Sequence, residues 1–163
     1  MVVAVVIGLV VLALAVTGGR FGWRHFVANP VVPDTLQGMP RLTDPEVEAQ
    51  LSEAQDSLGS ELTAGSEVKA AVYSHGRGSG YMLFAMRGSS RPGEEDNSTE
   101  GWTESKQGKA QCFAKGPQAQ AGFAVTFCVR GFFRRAVVVM AIGGVAQYPA
   151  IVAEATEEAW NAQ

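Results

Sequence analysis

The chain's two cysteines, Cys112 and Cys128, lie sixteen positions apart, centred on residue 120. That centre falls in a stretch from Lys115-Gly116-Pro117-Gln118 to Gly122 that reads as a turn. A hairpin folded there sets the two thiols opposite each other, close enough in a non-hydrogen-bonded pair for a disulfide. Such a bridge belongs to an oxidising compartment. Two buried free thiols are the competing reading. The spacing is not Cys-x-x-Cys, two cysteines rule out a four-cysteine zinc site, and two histidines leave little for a histidine-rich metal centre.

Other candidate chemistry is sparse. His75 precedes Gly76-Arg77-Gly78-Ser79-Gly80, a glycine cluster without the GK[ST] ending of a phosphate loop. It reads as a hairpin loop with a surface histidine at the strand end. None of the G-x-S-x-G, H-E-x-x-H and S-x-x-K patterns is read as present. A Ser–His–carboxylate site would have to recruit His75. Glu94, Glu95 and Asp96 lack the spaced ligands of a calcium loop, and Asn97-Ser98-Thr99 has the N-glycosylation pattern. No catalytic set, metal site or cofactor motif is assigned. One basic-aromatic cluster stands out in the domain: Arg130, Phe132, Phe133, Arg134 and Arg135. It is a candidate interaction tip. The alternative is a solvated hairpin end with one Phe turned into the core.

The elements that position these residues follow from periodicity. Thr43-Asp44-Pro45-Glu46 opens a helix, capped either by Thr43 with Glu46 or by Asp44 with Pro45 in the first turn. Val47, Leu51, Ala54 and Leu58 then form one helical face. Strands are expected over 67–75, 81–86, 109–114, 123–130 and 135–142. AVVVMAI in the last of these predicts a central strand, and YMLFAM one covered on both faces. Residues 89–109 read as a polar surface loop that Trp102 pins to the domain. Ile151, Val152, Ala155 and Ala159 mark a terminal amphipathic helix after Tyr148-Pro149. The expected fold class is α+β: two amphipathic helices packed on one face of an about five-stranded, mainly antiparallel sheet.

Before this domain, over residues 43–163, the N-terminus is apolar. Residues 1–19 carry no charge. At about 1.5 Å per residue a helix of that length reaches roughly 28 Å, against a hydrocarbon core of about 30 Å. Arg20, Phe21, Trp23, Arg24 and Phe26 follow, aromatics and cations suited to the headgroup layer. A transmembrane anchor is the favoured reading. A cleaved signal ending near Ala13-Leu14-Ala15 is the alternative, although no basic residue precedes Arg20. Residues 20–42 then form an interfacial flank and a proline-rich connector.

Charge bears on orientation and partners. The whole chain has net charge −3 and pI near 5.4, a poor match to nucleic-acid phosphates. Residues 1–41 hold three arginines and one aspartate, whereas the remainder is net acidic. A domain of that sign is expected to stand off an anionic lipid surface. Arg20 and Arg24 favour a cytoplasmic domain by the positive-inside rule. The cysteine pair favours the exterior, and basic residues upstream of the given start would reconcile the two. The exterior is preferred.

The stretches PDTLQGMPRLTDP, AAVYSHG, CVRGFF after the second cysteine and YPAIVAEATEEAW resemble a group of uncharacterised single-pass membrane proteins from actinobacteria. The resemblance runs from about Pro30 to the C-terminus. It implies one transmembrane helix, a small exterior α+β domain and a cysteine pair, and brings no activity with it. Members often carry an aromatic and an acidic residue after the second cysteine, where this chain has Arg130-Gly131. The functional expectation is a single-pass, membrane-anchored module outside the cell. Its partners are the bilayer, through the N-terminal helix, and an unidentified protein or small molecule. An exterior hydrolase built around His75 is the alternative.

Overall fold

The computed structural model describes residues 29–61, 66–76, 78–88, 101–115, 124–132 and 135–163. The expected membrane span and its flank, Arg20, Phe21, Trp23, Arg24 and Phe26, lie outside them. So do the acidic run 94–96 and the Asn97 pattern. No helix among the described residues is long and apolar enough to cross a membrane.

The elements are, in order, β1 (Thr35–Leu36), β2 (Met39–Pro40), α1 (Pro45–Glu61), β3 (Glu67–Ser74), β4 (Gly80–Arg87), β5 (Thr103–Gln107), β6 (Ala110–Lys115), β7 (Val125–Phe132), β8 (Arg135–Ile142) and α2 (Pro149–Asn161). A 3₁₀ turn, Gly143–Gln147, precedes α2. Six strands form one sheet in the order β3-β4-β8-β7-β6-β5, and every pairing is antiparallel. The sheet therefore has six strands rather than five. The additional one is β5, TESKQ, a mostly exposed edge strand inside the expected loop. Its charges discourage pairing with other chains and also hide the apolar alternation that announces a strand. β8 lies between β4 and β7, as its apolar composition predicted.

The two helices do not share a face. Alternation along the strands sends Ala71, Tyr73, Leu83, Cys112, Cys128, Val137 and Val139 to one side, where Val152, Ala153, Ala155 and Ala159 of α2 pack on them. It sends Ala70, Phe84, Met86, Phe113, Phe127, Val138 and Met140 to the other, with Leu51, Ala54 and Leu58 of α1. The domain is thus three layers, helix–sheet–helix. The physical reason is that β4 and β8 are apolar on both sides, so both sides need cover.

Asp44 caps α1: its carboxylate accepts from the Glu46 amide at 2.9 Å, with Pro45 first in the helix. In α2 the buried face is Val152, Ala153, Ala155, Thr156 and Ala159, whereas Ile151, expected on that stripe, is exposed. Small side chains let the helix lie close to the sheet. The buried Thr156 hydroxyl donates to the Val152 carbonyl at 2.8 Å, and that of Thr126 to Ala146 at 2.6 Å.

The segment expected as a free connector is docked from Pro30 onward. Leu36 is completely buried in the α2-side core, with Val32 and Met39 packed beside it. Gln37 and Gly38 form the two-residue turn between β1 and β2, both with positive φ (49° and 71°), as a type I′ turn requires. The Tyr73 hydroxyl donates to the Pro33 carbonyl at 2.7 Å, Arg41 bridges to Tyr73, and the Leu42 amide donates to Val72. Residues 30–42 thus belong to the folded domain.

Candidate functional site

Strand register brings the chemistry-bearing residues to three places. The first is the sheet centre. Cys112 and Cys128 are direct partners across β6 and β7, their Cα atoms 4.0 Å apart and their sulfurs at bonding distance. Both are fully buried beneath the start of α2, whose Pro149 carbonyl oxygen lies 3.8 and 3.7 Å from the two sulfurs. No free cysteine remains. The hairpin centred near residue 120 is therefore the arrangement adopted, and the bridge lies under the helix, away from solvent.

The second place is the end of the sheet where β7 meets β8. Here the expected tip divides. Arg130 and Arg135 both turn onto the α2 side, because residues 130, 135 and 137 share that face by register. Arg130 forms an ion pair with Glu157 and lies over the Trp160 ring, 4.6 Å from its centroid. Arg135 lies over the same ring at 3.8 Å and donates to the Trp160 carbonyl oxygen. The indole is held by two guanidinium groups at the C-terminal end of α2, where positive charge also complements the helix dipole. Partial burial, and then the charge of Arg130, lower the Arg135 pKa. Arg135 Nε and Glu157 Oε1 are buried without a hydrogen-bond partner among the described residues. These two arginines act as a clasp between hairpin and helix. The side chain of Phe132, and all of Phe133 and Arg134, lie outside the described residues.

At this same end the chain joins the domain. The Asn29 side-chain oxygen accepts from Arg87 at 2.8 Å, and Arg87 also pairs with Glu67 at 3.2 Å. Arg87 is the register partner of Arg135. Val31 and Gln163 exchange two hydrogen bonds, amide to Oε1 at 3.1 Å and Nε2 to carbonyl at 2.7 Å, so the segment entering the domain is tied to the chain just after α2. The Glu158 carboxylate accepts from the Gln37 amide and from its side-chain nitrogen at 2.7 Å.

The third place is the opposite end. His75 is exposed just after β3 and makes no hydrogen bond or ion pair among the described residues; the neighbouring Ser74 hydroxyl instead donates to the Ser79 carbonyl. Back at the second place, beside Arg87, Ser66 and Lys69 have the S-x-x-K spacing of serine–lysine hydrolases, a pattern that the sequence reading took as absent. Lys69 lies within β3 and reaches the Glu67 carboxylate at 3.8 Å. A strand sends residues three apart to opposite faces, whereas a serine–lysine pair needs them together, as a helix turn provides. Trp102, the expected pin, packs edge-on against Phe127 at 5.1 Å, with the Lys115 ammonium over its ring.

The chain matches no protein-family model, no curated protein and no solved structure.

Proposed function

We propose that the protein is a membrane-anchored binding or interaction module whose α+β domain stands outside the cytoplasm. Residues 1–19 supply the anchor, and Arg20, Phe21, Trp23, Arg24 and Phe26 its headgroup flank. The observation that carries the exterior placement is the Cys112–Cys128 bridge in the domain core, a bond that reducing compartments do not maintain. The described residues form an extensive core and two clasps that hold tether, hairpin and helix together. Such a body suits display of a surface to an unidentified protein or small molecule. Among the described residues His75 is hydrogen-bonded to no serine or carboxylate, and the hydrolase reading is kept as the alternative.

Alkaline carbonate washing of membranes from producing cells tests the anchor. The full chain is expected to stay in the pellet, and a chain lacking residues 1–19 to be released. Release of the full chain overturns the proposal.

A further inference from the structure

We infer that the end of the domain carrying Asn29, Lys69, Arg87 and Lys109 lies against the lipid headgroups, an inference that rests on the anchored reading above. The argument begins with reach. The headgroup flank ends at Phe26, and Asn29 is already bonded to Arg87 on β4. Only Val27 and Ala28 intervene. Three peptide links extend no more than about 11 Å. The proline-rich segment cannot act as a spacer, since Pro30 to Leu42 runs back along the domain and buries Leu36. The tether therefore holds this end of the sheet at the interface, contrary to the stand-off expected from net charge.

Chemistry at this end agrees. Strand direction places the start of β3, the end of β4, the β7–β8 connection and the β5–β6 turn there together, over about 24 Å of sheet width. Exposed Lys69 opens the row on β3, and exposed Lys109 closes it in the β5–β6 turn. Several described carboxylates around this end are already engaged: Glu67 with Arg87 and Lys69, Glu157 with Arg130, Glu158 with Gln37, and Glu104 of β5 with Gln111. Asp44, Glu46 and Glu48 lie at the start of α1, at the opposite end of the sheet, where Leu42 meets Val72. Among the described residues, Lys69, Arg87 and Lys109 thus share the tether end, while the first-turn carboxylates of α1 lie at the far end.

The test uses the full chain in vesicles of phosphatidylcholine and phosphatidylglycerol containing a headgroup-attached quencher. A fluorophore is placed on Lys109→Cys at the tether end or on His75→Cys at the far end; both positions are exposed. The buried disulfide does not compete for the label. Quenching is expected to be several-fold stronger from position 109 than from position 75. Chains that float with the vesicles but show equal or reversed quenching overturn the orientation alone. Chains that fail to float overturn the anchor, and this inference with it.

Discussion

Arg135 stacks on the Trp160 ring at 3.8 Å and also donates to the Trp160 backbone carbonyl. One side chain thereby covers the indole and closes the last turn of α2. Arg130 approaches the same ring at 4.6 Å, tying β7 into the arrangement. Replacing Trp160 with Ala removes packing and both cation–π contacts. We expect a loss of about 2–3 kcal/mol in urea unfolding, below the range for a fully buried Trp because Trp160 is only partly buried. A change within about 0.5 kcal/mol, as at an ordinary surface site, contradicts the clasp.

The disulfide should act chiefly on the unfolded chain. Its sequence separation of 16 predicts that the double variant Cys112→Ala/Cys128→Ala loses about 3 kcal/mol in the chain-entropy account. Denaturant midpoints of the two proteins measure it. Equal midpoints contradict a closed bridge in the native protein.

Leu36 distinguishes a docked tether from a free connector. Because Leu36 is completely buried, Leu36→Ala should cost about 2–5 kcal/mol. In a free connector the same change is nearly neutral. Thermal unfolding monitored by near-ultraviolet circular dichroism reads the difference.

Tyr73 makes stability fall at alkaline pH. Burial, and then the nearby Asp34 and Glu158 charges, raise its pKa above the ordinary 10.0, while Arg41 opposes the shift. The neutral phenol donates to Pro33 in the fold. Its contribution is fully present below the unfolded-state pKa of about 10 and is lost as pH rises through the higher folded value. Unfolding free energies measured above about pH 10 should therefore decline more steeply in the wild type than in Tyr73→Phe. Parallel curves contradict the assignment.

Much of the fold was legible because its period was strong. β8 and β4 announced themselves by unbroken apolar runs, and Val47, Leu51, Ala54 and Leu58 by helical spacing. The same runs implied cover on both faces of the sheet, which a helix pair on one face does not provide. β5 was hidden because Glu104 and Lys106 face water on an edge strand. The docking of Leu36 was hidden behind Pro30, Pro33 and Pro40, which read as a spacer. Gln37-Gly38 between Thr35-Leu36 and Met39 was the available signal, a two-residue hairpin turn. The hairpin centre near residue 120 located the disulfide pair. The roles of Arg130 and Arg135 depended on Trp160, some 25–30 residues away, and no local pattern links them.

The central claim, a domain held outside the cytoplasm, is tested most directly by labelling intact cells. Cys112 and Cys128 are fully buried, so a membrane-impermeant maleimide reads only an introduced thiol. Ser52 is exposed on α1 and suits the purpose. Full-length Ser52→Cys protein is predicted to be labelled on intact cells as fully as after lysis. Labelling only after lysis places the domain in the cytoplasm and contradicts the account.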